Sequence, residues 1–136
     1  MADVTITRED VAINASNVTF VRVQVGEAVQ QGQPLYRSSA NSRHYKASAT
    51  TATLAQCVGI AMTPSATDGF ALMLKAGDFI VGGTVSQGLT YVVSATSGRI
   101  APSADLASTN FVTNLGIAIS STVIRLDIAA SAIALP

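Results

Sequence analysis

Large apolar residues recur with a period of two in three stretches of the chain. They are Val21, Val23 and Val25 around Arg22 and Gln24; Phe70, Leu72 and Leu74 around Ala71 and Met73; and Ile124, Leu126 and Ile128 around Arg125 and Asp127. That period predicts half-buried β-strands, each turning the named set towards a core. Short turn signals separate the apolar runs: Val25-Gly26-Glu27, Gln31-Gly32-Gln33-Pro34, Thr67-Asp68-Gly69, Ala76-Gly77-Asp78, Gly82-Gly83 and Ser97-Gly98. Strands and turns at this spacing predict a compact all-β barrel or sandwich. Helical periodicity is weak, and the only candidates for helical turns are Thr50–Cys57 and Ser103–Ser108, both too short to hold without tertiary packing. The first 20 residues alternate in places, at Val4 and Ile6 and again at Val11 and Ile13, without a turn that folds them back on themselves. They are expected to form an extended arm (1–20) ahead of a single β domain (21–136).

The chain also resembles itself. Val25–Arg43 aligned with Val81–Arg99 gives seven identities in 19 positions at a shift of 56: the pairs Val25/Val81, Gly26/Gly82, Val29/Val85, Gln31/Gln87, Gly32/Gly88, Ser38/Ser94 and Arg43/Arg99. At a shift of 57, Val58-Gly59-Ile60-Ala61-Met62 meets Leu115-Gly116-Ile117-Ala118-Ile119. Pseudo-repeated units at about 21–76 and 77–130 are therefore expected. In each, Val-Gly-x-x-Val-x-x-Gly describes a strand end, a tight turn at Gly26 or Gly82, an inward valine, and a second glycine, Gly32 or Gly88, that restarts the chain. Gly59 and Gly116, inside strong strands, predict a bulge or a close backbone approach.

Composition narrows the function. Among 136 residues, Ala (22), Ser (14) and Thr (14) dominate, Trp is absent and aromatics make up 5%, so the core is built from small and β-branched side chains. Charged residues are 12% of the chain, against about a quarter in soluble proteins, and eight basic residues balance eight acidic ones. Such a chain has no basic field for nucleic acid or an anionic membrane, and no apolar run long enough to span a bilayer. A neutral, charge-poor surface is also poorly guarded against self-association, which points to coverage by other subunits. The segment Met1–Asp10 carries Asp3, Arg8, Glu9 and Asp10 without an apolar stretch, so no signal peptide is expected.

Candidate chemistry is sparse. Cys57, the one cysteine, precedes an apolar strand and reads as a small buried hydrophobe rather than a nucleophile paired with His44. His44, the one histidine, has no carboxylate or thiol at a ligand spacing and reads as a solvated strand residue; no metal site and no cofactor are expected. The carboxylates are scattered, several beside turns, and neither a phosphate-binding glycine loop nor a serine-hydrolase elbow is present, so no catalytic residue is assigned. Arg37, Arg43 and Lys46, interleaved with Tyr36 and Tyr45, form the one basic cluster, read as a solvated or intersubunit hairpin rather than a base-stacking face. Val25–Leu35 resembles the duplicated β units of biotinyl and lipoyl carrier modules. Lys46, the nearest counterpart of their modified lysine, follows Tyr45, and no Met-Lys-Met is present.

Taken from Val25 to Ile128, the succession Val-Gly-x-x-Val-x-x-Gly, Val58-Gly59-Ile60-Ala61, an Asp68-Gly69 turn into a strand, Val81-Gly82-Gly83-Thr84-Val85 and Leu115-Gly116-Ile117-Ala118 resembles the small capsid decoration (cement) proteins of tailed bacteriophages. The resemblance implies a β-rich homotrimer, made in the host cytoplasm, that binds the major capsid protein lattice on the outer surface of the virion. It implies no nucleic-acid or membrane partner. A tail, baseplate or receptor-facing component is the alternative within the same structural class. Multivalent attachment turns weak single contacts into slow dissociation, and extended arms suit interfaces made on an assembled shell. Ala2, Asp3, Val4, Thr5, Ile6, Thr7 and Arg8 are accordingly the expected capsid or intersubunit contacts.

Overall fold

The computed structural model describes residues 3–7, 10–13 and 17–134. Ten strands form one curled, mainly antiparallel sheet: β1 (Ala12–Ile13), β2 (Thr19–Gln24), β3 (Pro34–Arg37), β4 (His44–Lys46), β5 (Cys57–Ala61), β6 (Phe70–Ile80), β7 (Thr90–Val93), β8 (Ile100–Pro102), β9 (Phe111–Ala118) and β10 (Val123–Ala134). The fold is all-β, as the alternation predicts. Of the two candidate helical segments, Ser103–Asp105 makes a single 3-10 turn, and the chain before β5 is a turn held by the Ala55 N–H to the Thr51 carbonyl at 3.0 Å.

The neighbours of each strand run β4-β3-β5-β6-β10-β9-β7-β8, and β6 is the hinge of this order. Residues 70–76 of β6 pair with β2, while Leu74 and Met73 pair with Ile60 and Ala61 of β5 on the opposite edge. Residues 76–80 pair with Asp127–Val123 of β10, and Phe79 and Ile80 pair with β1 on the other side. One continuous strand thus crosses the expected boundary at 76/77, closing the first half of the chain and opening the second.

The two halves share ladder registers. Leu35↔Lys46, Tyr36↔Tyr45 and Arg37↔His44 between β3 and β4 become Tyr91↔Pro102, Val92↔Ala101 and Val93↔Ile100 between β7 and β8 at a shift of 56. Pro34↔Ile60, Leu35↔Gly59 and Tyr36↔Cys57 become Thr90↔Ile117, Tyr91↔Gly116 and Val92↔Asn114, with an irregularity at the same step in each ladder. The turns correspond too: the Gly32 N–H donates to Ala61 O at 2.8 Å and the Gly88 N–H to Ala118 O at 2.8 Å, while Val29 N–H reaches Ser65 O and Val85 N–H reaches Ser121 O.

Packing follows the same correspondence. Val23, Val25, Val29, Leu35, Ala61, Ala71 and Met73 fill the interior of the first half. Their register counterparts Phe79, Val81, Val85, Tyr91, Ala118, Ile124 and Leu126 are all buried in the larger second cluster. Two members of the predicted inward sets face out: Val21 of β2 is 38% exposed, and Phe70 of β6 is 52% exposed beneath the Arg22 guanidinium, which lies 4.5 Å from its ring centre, while Ala71 and Met73 are buried alongside the predicted Leu74. Ladder register aligns Ala71, not Phe70, with Ile124, because the turn before β10 differs in length. A slip of one residue inverts a strand's faces, and large apolar residues on both faces hide it from inspection.

Candidate functional site

The expected contact segment lies on its own chain. The Val4 N–H donates to the Ile100 carbonyl of β8 at 2.8 Å, the Thr7 N–H donates to the Gly82 carbonyl at 2.7 Å, and the Ser94 hydroxyl donates to Asp3 Oδ1 at 2.6 Å. Val4 enters the core at 7% exposure and Ile6 packs against it, whereas Thr5 and Thr7 face outwards. Ala2 and Arg8, assigned the same role by sequence, lie outside the described residues.

This seat exists because the halves close differently. In the first half the chain closes on itself: Gly26 N–H donates to the His44 carbonyl at 2.9 Å, beside a parallel bridge from Val25 to His44. The corresponding carbonyl of the second half, Ile100 O, is taken by Val4 instead, and the N-terminal segment lies between β8 and Gly82-Gly83. A side chain at Gly83 would overlap the Thr5 carbonyl, and one at Gly82 would come within 2.6 Å of the Thr7 carbonyl. Glycine there admits another backbone. An open groove of about 590 Å³ runs alongside, lined by Asp3, Thr5, Thr7, Gly83, Ser86 and Tyr91.

The other glycines divide by role. Gly32 and Gly88 restart the chain with φ of 84° and 87°, the left-handed region a side chain avoids. Gly59 and Gly116 stand at the two ladder irregularities; a Cβ at Gly59 would press on Met73 and the Leu74 carbonyl, and one at Gly116 would overlap the Arg125 carbonyl. Gly26 lies against the Tyr45 ring.

The basic cluster is consumed locally. Arg37 bonds the Ser42 hydroxyl at 2.8 Å, Arg43 pairs with Asp68, and Lys46 lies 3.8 Å from Glu27, whose carboxylate also accepts the Lys46 N–H. Tyr36 and Tyr45 stack with ring centres 5.9 Å apart. Burial and the Glu27 charge push the Tyr36 hydroxyl above its ordinary range. Lys46 stands within β4 opposite Leu35 rather than in a turn.

His44 is not the solvated residue its sequence suggests. It is 7% exposed and occupies the position that Ile100 fills in the second half, with Nδ1 lacking a hydrogen-bond partner. Burial lowers its pKa, opposed by a backbone hydrogen bond with Gln24 and aided by the nearby Arg37 charge. Cys57 is buried as expected, and burial pushes its thiol up to about 12. It is inert at neutral pH.

Sequence reasoning missed one polar constellation. Asp78 is buried and accepts from Arg125 Nε at 2.8 Å and Nη2 at 3.1 Å, with Asn17 also bonded to it. The Arg125 hydrogen bond, with that of Asn17, holds its carboxyl below the usual range against the effect of burial. Asp78 and Arg125 oppose each other directly across β6 and β10; the Ala-Gly-Asp turn signal disguised that strand position. Among the described residues no group of three His, Cys, Asp or Glu is placed to hold a metal, and no helix is long and apolar enough to cross a membrane. No protein-family model and no curated protein matches the chain.

Proposed function

We propose that the protein is a structural virion component that decorates the outer surface of a bacteriophage head, binding the major capsid protein lattice as a homo-oligomer, with three copies as the resemblance implies. The observation that carries this reading is the placement of apolar side chains on the outside of a chain with no net charge. Ile133 is 67% exposed, Phe70 52% and Ile117 51%, with Ile13, Val21 and Leu89 also outward. Outward apolar groups are available to be covered by a partner and mark interaction surface where they adjoin one another, and a lattice supplies the multivalency that makes modest contacts durable. Within this reading Asp3, Val4, Thr5, Ile6 and Thr7 divide their work: Val4 and Ile6 anchor the segment, and Thr5 and Thr7 present its outer side to the shell.

Cosedimentation with expanded empty heads tests the proposal. Saturable binding at hundreds of copies per head supports decoration. Failure to pellet, or a stoichiometry of a few to a few dozen, rejects it, the latter in favour of a tail or baseplate position. Thr5→Glu/Thr7→Glu leaves both anchoring side chains in place and is expected to lower head occupancy at least tenfold.

A further inference from the structure

Among the described residues two sheet edges carry no neighbouring strand, at opposite ends of the chain. β10 has β6 along Val123–Asp127, but from Ile128 to Ala134 the described residues pair it with β9 alone, through Ala129↔Asn114, Ala130↔Thr113 and Ala134↔Phe111. β2 pairs only with β6, so between Thr19 and Val23 its other edge carries no strand among the described residues. The register relation sharpens the contrast: β2 corresponds to the second part of β6, whose equivalent edge is covered by β1 at Phe79 and Ile80. Among the described residues this edge is therefore covered by a strand once and left bare twice.

Bare edges are usually guarded by lysine, proline or brevity, since unpaired N–H and C=O groups template another strand. Ile128-Ala-Ala-Ser-Ala-Ile-Ala134 has no charge and no proline. In β2 the single charge, Arg22, is laid over Phe70, and Val21 is exposed.

We propose that these edges pair with each other between copies: Ala129–Ala134 of one chain adds as a strand to Thr19–Val23 of the next. A second copy suits the slot because neither segment brings a like charge against the other, and because each edge offers five or six residues to its counterpart. Joining two different patches is a heterologous contact, which closes into a ring when the rotation permits. The pairing deepens the oligomer part of the proposed function without depending on capsid binding.

The test uses two double variants at exposed positions, Thr19→Lys/Val21→Lys and Ala129→Lys/Ile133→Lys, with circular dichroism to confirm folding and native mass to count subunits. Wild-type chain is expected to be a closed oligomer and each variant alone a monomer, with association weakened at least tenfold. Mixed together, the variants are expected to form a one-to-one dimer, since each retains the edge the other lacks. A monomeric wild type, variants that stay oligomeric, or a mixture that stays monomeric overturns the pairing. If only the β10 variant is monomeric, β10 pairs with itself about a twofold axis, which also overturns it. Head binding scored in parallel separates the two proposals: an oligomer that ignores heads counts against decoration alone, and a monomer that coats them counts against the pairing alone.

Discussion

The two halves of this chain pair their strands in the same registers yet close their seams by different means. The first half joins Gly26 directly to the His44 carbonyl; the second takes in a foreign segment, with Val4 and Thr7 bonded to Ile100 and Gly82. The first carries a polar side chain at a buried position, His44, where the second carries Ile100. The second buries the carboxylate of Asp78, matched by Arg125 and Asn17. Register is specified by glycines and inward valines common to both halves, while what differs is how each seam is sealed. Substitutions at shared positions should therefore damage the fold, and substitutions at unshared positions should affect one half selectively.

The largest effect is expected at a shared position. Gly116→Val forces a side chain into the Arg125 carbonyl at the ladder irregularity between β9 and β7. The cost should exceed about 3 kcal/mol, in the range reached only by gross steric or burial faults. Chemical denaturation reads it directly, and a cooperative transition near the wild-type midpoint would show that the bulge can move. Next comes the seam of the second half. Removing Met1–Thr7 uncovers the positions that Val4 and Ile6 cover, and losing these two side chains should cost about 3 kcal/mol. Amide exchange should quicken most at the edge of β8 and least in β3–β5; uniform quickening would mean the halves do not open separately.

Much of the fold is legible in the order of residues, and the reasons for the rest are particular. Val29 and Val85, or Gly32 and Gly88, announce themselves because local turn chemistry admits few alternatives. Phe70 misleads because β6 is apolar on both faces, so period alone does not say which set turns inward. Residues 129–134 escape the alternation because alanine and serine carry little contrast, and β10 runs further than its periodic part. The seat of Asp3–Thr7 is illegible for another reason: its partners lie more than 70 positions away, at Gly82 and Ile100, and nothing local in MADVTITRED names them. His44 shows the same limit, since only its register with Ile100 reveals an interior position.

That register makes His44 the next test. Its pKa lies below the ordinary 6.5 in the folded chain because burial disfavours the charged ring. The unfolded chain therefore binds the proton first, so stability is complete above pH 6.5 and declines as the pH falls from there towards the folded value. His44→Ile copies the second half, removes the unpartnered Nδ1 and is expected to stabilise by about 1 kcal/mol at neutral pH. The gain should grow as the pH falls below 6.5. A variant whose stability tracks wild type across that range would place the acid sensitivity elsewhere.

The smallest effect asks how much the N-terminal segment crowds the first half. Gly32 and Gly88 have nearly the same φ, so alanine at either meets the same left-handed backbone penalty, about 1 kcal/mol. Their surroundings differ: a Cβ at Gly88 meets nothing within 4 Å, whereas one at Gly32 comes within 3.2 Å of methyl groups of Ile6 and Val11. Gly32→Ala should therefore cost more than Gly88→Ala, by less than about 1 kcal/mol, since two flexible side chains yield more readily than a backbone. In a chain lacking Met1–Thr7 the Ile6 contact is gone, and the gap between the two substitutions should narrow. Equal costs in the full chain, measured from denaturation midpoints, would mean that the N-terminal segment rests on the molecule without pressing on it.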